Sequence, residues 1–209
     1  FYWKGSGGIG MASSKDLVNW KKYEGNPILV RDKNIPWESE GVFEPSVVFT
    51  GDEFGGEGAF LMWYGGNNKD GVMSIGLAKS KDSVTWVKDS ANPVLKRSDV
   101  PSDFDGYTVE VHSVVKKNNG YIMAYEATDR IFPSRFSIGL ASSPDGVTWK
   151  KNKNNPILEG GSVGSWDSMG AYHPSLLFER DVNMIFYVGL NNQYDHQIGV
   201  AEVRSFIFQ

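Results

Sequence analysis

The feature that most constrains this sequence is a unit that returns three times in one internal register. Ile9-Gly10-Met11-Ala12-Ser13-Ser14-Lys15-Asp16 runs on to Trp20 and closes with Asn26-Pro27-Ile28-Leu29. The same spacing joins Ile75-Gly76-Leu77-Ala78 to Asp82, Trp86 and Asn92-Pro93-Val94-Leu95. It also joins Ile138-Gly139-Leu140-Ala141 to Asp145, Trp149 and Asn155-Pro156-Ile157-Leu158. A fourth copy opens at Ile198-Gly199-Val200-Ala201, and the four starts lie 66, 63 and 60 residues apart. A second unit sits between these copies. Trp37-Glu38-Ser39, Phe104-Asp105-Gly106 and Trp166-Asp167-Ser168 each precede a serine (Ser46, Ser113, Ser175) by nine residues. Each serine opens a short apolar run, followed by a turn and an aromatic-rich run: Phe60 to Tyr64, Tyr121 to Tyr125 and Met184 to Val188.

These runs read as strands. Asn118-Asn119-Gly120 is a hairpin turn signal because Asn and Gly accept positive φ. The matching stretch from Gly51 to Ala59 is a longer, Gly-rich surface insertion. Asp in the Ser-x-Asp turn before each Trp can bond nearby backbone amides. No segment carries a run of period-3.6 apolar positions, so long helices are not expected. Each repeat therefore predicts about four short antiparallel strands with turn signals every 8–12 residues. Four strands repeated at about 60 residues make an all-β fold, a β-propeller with four-stranded antiparallel blades. The units run roughly over 1–36, 37–103, 104–165 and 166–209, within a single propeller domain or fragment spanning 1–209. That is about 3.3 blades, whereas closed propellers have about four or more. An open stack leaves unpaired edges, so further blades of a longer chain, or another chain completing the propeller, are expected. Phe1 is not a start methionine, and a fragment or processed chain is the expectation.

Composition narrows the function classes. Forty per cent hydrophobic residues with 7 Trp, 9 Tyr and 12 Phe suffice for a core. A net charge of −4 without clustered Lys and Arg argues against nucleic acid. No apolar run approaches the roughly 18–20 residues of a membrane span. The lack of cysteine excludes disulfides and thiol chemistry while leaving the compartment open.

The pattern Ala-x-Ser-x-Asp-x-x-x-Trp followed by Asn-Pro-Ile/Val-Leu, with Met62-Trp63-Tyr64-Gly65 ahead of it, resembles the five-bladed propeller glycoside hydrolase superfamily of families 32, 43, 68 and 130. The first copy, Ala12 to Trp20, is especially similar to the first-blade segment of family 32. Trp20, Trp86 and Trp149, with Asp16, Asp82 and Asp145, occupy symmetric positions and read as blade packing and turn formation. The run Ser143 to Trp149 is also similar to the sialidase Asp box, itself structural and here one residue short.

A single axial site needs each blade to contribute something different, so functional residues are sought where the copies diverge. Around the aligned serines they read Phe43-Glu44-Pro45-Ser46, Glu110-Val111-His112-Ser113 and Tyr172-His173-Pro174-Ser175. The resemblance places this strand innermost, facing the channel. It implies Glu110 as general acid, Glu44 as the acid that modulates it, and His173 as the channel histidine that in some relatives helps hold a metal or a water network. Glycoside hydrolysis requires such a set: one protonated carboxyl for the leaving oxygen and one carboxylate to activate water or attack. The base or nucleophile Asp of the superfamily precedes the segment at Phe1 and is not in this sequence. Asp105 and Asp167 are weak substitutes, because their alignment with Glu38 reads as a repeat feature. Trp37, Tyr107 and Trp166 precede the inner strands and could floor a sugar site, although packing explains the two tryptophans as well.

The expected function is cleavage of furanosyl or pentosyl linkages in the axial channel, with a carbohydrate substrate and no required cofactor. A Ca²⁺ ion or a water network in the channel is compatible with it. Two alternatives stand beside this reading. One is a non-catalytic propeller binding glycans or protein. The other is a mannoside phosphorylase like those of family 130, with Arg130 and Arg135 as the clustered cations a phosphate would need.

Overall fold

The computed structural model describes residues 8–51, 58–117, 120–129, 135–179 and 182–202. Its only helical element among them is one 3₁₀ turn, Pro36–Glu38, started by the fixed φ of Pro36. The strands pair antiparallel, apart from one parallel bridge between neighbouring blades, Phe136 to Gly170. Four two-residue strands come first: β1 (Gly8–Ile9), β2 (Ala12–Ser13), β3 (Lys21–Lys22) and β4 (Leu29–Val30), paired β1–β4 and β2–β3. A four-stranded blade follows in the order β5 (Gly41–Phe49), β6 (Phe60–Asn67), β7 (Met73–Ser80), β8 (Val87–Lys88). The next blade repeats that order with β9 (Thr108–Lys117), β10 (Gly120–Thr128), β11 (Phe136–Ser143) and β12 (Lys150–Lys151). The last described unit is three-stranded: β13 (Gly170–Glu179), β14 (Val182–Leu190) and β15 (His196–Glu202). Four strands per unit are thus reached by the two middle blades. The fold is the propeller that the repeats predict, laid out as partial, full, full and partial blades.

Cores lie between blades. One cluster joins Ile9 and Leu29 to Val42, Met62, Tyr64 and Ala78 of the first full blade. A second joins Leu61, Trp63, Ile75 and Leu77 of that blade to Val109, Val114, Met123 and Tyr125 of the next. A third joins Ile122, Ala124, Ile138 and Leu140 to Ala171, Leu176, Ile185 and Tyr187. Side chains alternate across a strand, so odd and even residues of β6 and β10 enter different clusters. This is why these strands read as unbroken apolar runs rather than alternating ones. One repeat position shows the effect directly: Ile75 and Ile138 are 0% exposed, and Ile198, on the outer face of β15, is 81% exposed.

The repeated residues have repeated structural tasks. Ser46 Oγ accepts the amide N–H of Val114, and Ser113 Oγ accepts that of Leu176, so each serine stitches its inner strand to the next blade. Asn92 Oδ1 accepts the Leu77 N–H while its amide donates to the Leu77 carbonyl. Asn26 and Asn155 do the same at Met11 and Leu140. Asp16 and Asp82 accept backbone amides of their turns, chiefly those of Asn19 and Thr85, which hold both carboxyls well below the usual range. The indoles of Trp20, Trp86 and Trp149 donate to the carbonyls of Leu17, Ser83 and Gly146, the left-handed residues of the three turns. Trp149 also stacks edge-on against Trp63 of the preceding blade, and Trp86 packs on the first cluster. Trp20 is 58% exposed.

Candidate active site

The three inner strands lie side by side, β9 packing against β5 on one side and β13 on the other. Each carries a bulge at the same place: between Phe43 and Ser46, opposite Ala124/Tyr125 on β9, and between Tyr172 and Ser175. A bulge re-aims a side chain that regular pleating would have fixed. Here it puts Glu44 and His173 in the left-handed region, at φ 50° and 49°. For non-glycine residues this conformation costs roughly 1–2 kcal/mol, so the surroundings must hold it.

Beside the bulge the blades diverge in both paired strands. Phe43 faces Gly65, Glu110 faces Glu126, and Tyr172 faces Val188. In the first pair the aromatic ring fills the space over the glycine: a Cβ at Gly65 would meet the Phe43 ring at 2.5 Å. In the second, two acids stand directly opposite each other and both are buried. Like charges at such a position destabilise a sheet.

Three carboxyls and a histidine converge here. The Glu44 carboxyl is hydrogen-bonded to Glu110, which requires one proton between the two acids. Burial, and then the charge of Glu126, push Glu44 up to about 7 against the lowering effect of that bond. Glu126 Oε2 accepts the backbone N–H of His173 at 3.0 Å and lies 4.0 Å from His173 Nε2. The His173 ring stacks on Tyr172 with centroids 4.6 Å apart and is half exposed. The Tyr172 hydroxyl in turn meets His196 Nδ1 from β15. The site thus holds a proton near neutral pH, next to fixed negative charge and one accessible imidazole. Among the described residues, no group of three or more His, Asp or Glu side chains is arranged to hold a metal ion.

The structure therefore brings Glu44, Glu110 and His173 together. Trp37 and Trp166 are elsewhere in their contacts. Trp37 packs on Tyr64 at 5.7 Å between ring centroids and lies over Gly66, where a Cβ would come within 2.4 Å of it. Trp166 repeats this on Tyr187 and Gly189, at 5.6 Å and 2.2 Å. The Tyr107 hydroxyl reaches the Asp70 carbonyl in the β6–β7 turn at 3.5 Å. Arg130 lies outside the described residues, and Arg135 is exposed just before β11. Asp105 and Asp167 are buried within their blades, where they accept the hydroxyls of Tyr125 and Tyr187 as Glu38 accepts that of Tyr64. Lys88 and Lys151 pair with Glu38 and Asp105. Burial and the neighbouring acid push the Tyr64 and Tyr125 hydroxyls above their usual range. This acid–tyrosine pair is a repeated structural unit.

Glu126 is the member of the cluster that the repeat pattern does not single out. It follows the run Tyr121 to Tyr125, which reads as apolar strand, and the signal that could have found it is its alignment with Gly65 and Val188.

Residues 3–202 match the family model described as beta-1,4-mannooligosaccharide phosphorylase, glycoside hydrolase family 130. A search of the curated proteins finds no match. Among solved structures, one described as a glycoside hydrolase superposes with a TM-score of 0.71 at 23% identity, over 95% of this chain and 57% of that one. The beta-1,2-mannobiose phosphorylase of Listeria innocua, in complex with beta-1,2-mannobiose, gives 0.67 at 18%, over 93% and 49%. A structure described under family 130 mannoside phosphorylases that contain glycoside hydrolases targeting beta-1,2 mannosidic linkages in Candida mannan gives 0.63 at 15%, over 92% and 56%. These likenesses establish the propeller fold, and the chain spans about half the length of the solved relatives it matches.

Proposed function

The chain belongs to glycoside hydrolase family 130, the beta-1,4-mannooligosaccharide phosphorylases, and from that premise we propose that it serves the cleavage of a β-mannosidic bond by phosphorolysis, with Glu44 and Glu110 as its proton-donating unit. The observation that carries this reading is the hydrogen-bonded acid pair with Glu44 pushed up to about 7. Two carboxyls that divide the work of hydrolysis stand about 5–5.5 Å apart in retaining enzymes and about 6.5–9.5 Å apart in inverting ones. A directly hydrogen-bonded pair is closer than either, which suits one shared donor rather than an acid facing a base. Phosphorolysis needs no second carboxylate, because a phosphate oxygen attacks the anomeric carbon. The glycosidic C–O bond breaks, and the leaving oxygen takes the proton shared between Glu44 and Glu110. The donor role that the wider resemblance gives Glu110 stays within this pair, and mannosides replace furanosyl and pentosyl linkages as the substrate class. His173, half exposed beside the pair, is placed to bond a sugar hydroxyl or a phosphate oxygen.

Hydrolysis is the second reading, and it rests on Glu126. A third carboxyl adds negative charge that disfavours a phosphate anion and favours water. The experiment is incubation of the full-length protein with β-1,4- and β-1,2-linked mannobiose, with and without inorganic phosphate. Mannose 1-phosphate formed only with phosphate supports phosphorolysis. Free mannose released equally in both supports hydrolysis. No release from either, with aryl arabinofuranosides and xylosides also intact, leaves a glycan-binding propeller.

A further inference from the structure

We propose that Glu126 is a positioning residue of this site: from β10 it fixes the backbone of His173 in the neighbouring blade and supplies the negative charge that faces Glu44. The inference rests on the acid-pair reading above and adds a residue to it. Three observations support it. Glu126 is buried and stands directly opposite Glu110, an arrangement that weakens the sheet and that neither neighbouring blade repeats. Its Oε2 accepts the His173 N–H at 3.0 Å at the residue whose φ is 49°, so the carboxylate holds a conformation that the backbone does not favour unaided. Its charge also acts on Glu44, across from it on the first full blade. One side chain therefore spans three blades, joining the acid pair of β5 and β9 to the imidazole on β13.

The groups that face it are Glu110 from β9, Glu44 from β5, and His173 and Tyr172 from β13, with His196 of β15 behind Tyr172. Removing the negative charge of Glu126 without removing its acceptor should leave His173 seated while making Glu44 a stronger acid. Glu126→Gln does this, since its amide oxygen can still accept the His173 N–H. Glu126→Asp does the converse: the charge stays, and the arm is one methylene too short for the bond.

The test uses the full-length protein and reads Glu44 directly, by ¹³C NMR of the glutamate carboxyls against pH, assigned with Glu44→Gln. In Glu126→Gln the Glu44 midpoint should fall by on the order of half to one pH unit, and the alkaline limb of the pH–rate profile should move with it. In Glu126→Asp the Glu44 midpoint should stay within a few tenths of the parent, while KM rises more than kcat falls because His173 is displaced. An unmoved Glu44 midpoint in Glu126→Gln overturns the proposal, as does an Asp variant that behaves like the Gln one. Thermal melts separate either result from misfolding. The NMR arm is independent of turnover, so a moved midpoint in a protein that cleaves no glycoside counts against the functional reading and leaves the placement of Glu126 standing.

Discussion

Replacing Glu44 with Gln should change how stability depends on pH, and the structure gives both sign and size. In the unfolded chain Glu44 titrates near its ordinary 4.5; in the native site it is pushed up to about 7, first by burial and then by the charge of Glu126. Below the unfolded value both states hold the proton, and its contribution to stability is fully present. Between about 4.5 and 7 the native state keeps a proton that the unfolded state has lost, so stability falls as pH rises. Above the native value the contribution is gone. At about 1.4 kcal/mol per pH unit the whole window is worth about 3 kcal/mol. Gln at this position is neutral throughout and can still bond Glu110. Urea unfolding followed by tryptophan fluorescence, from about pH 4 to about pH 8, should therefore show the variant gaining on the parent by about 3 kcal/mol across that range. Acids outside the Glu44, Glu110 and Glu126 cluster titrate alike in both proteins and cancel in the difference. A difference that stays constant with pH would refute the reasoning, because it would mean that Glu44 ionises in the native site as it does in water.

The remaining predictions concern the blade repeats and share the same urea assay. Ser113→Ala should cost about 1–2 kcal/mol, because the Leu176 amide loses its acceptor at the blade boundary; a neutral result would mean that the serine stitch is incidental. Tyr125→Phe removes the hydroxyl between Asp105 and Asn155 and should cost about 1–3 kcal/mol, with fluorescence of the folded state unchanged. Gly66→Ala should cost about 1–3 kcal/mol by overpacking, since its Cβ would fall 2.4 Å from the Trp37 ring.

The parts of this molecule that were legible in the sequence are those that symmetry repeats. Asn92 and Asn155, Asp82 and Asp145, and Ser46 and Ser113 do equal work in equal places, so their spacing alone reports blades and turns. Glu44, Glu110 and His173 were legible for the opposite reason: they interrupt the repeat on an inner strand. Two things were not. Glu126 interrupts it too, but at the end of an aromatic run whose other members are core, and hydropathy there hides one acid among buried neighbours. Proton affinity was the second. Which acid of a pair is the weaker depends on how deeply each is buried and on a third charge from another blade, and neither quantity is written in local spacing. Trp37 and Trp166 show the limit from the other side, since an aromatic residue ahead of an inner strand fits a sugar floor or a glycine-lined packing slot equally well until its neighbours are seen.

The central claim is that bond cleavage depends on the acid pair where the repeats diverge, acting as one unit. Its most direct test is the rate of mannoside cleavage, measured in the full-length protein and in Glu44→Gln, Glu110→Gln and the double variant. The account predicts that each single change lowers kcat by about 10²–10⁴-fold, the usual worth of general acid catalysis. The double variant should be scarcely worse than the poorer single, because groups that act as a unit are not additive. Cleavage that survives both single changes unaltered, or losses that simply multiply in the double variant, would contradict it.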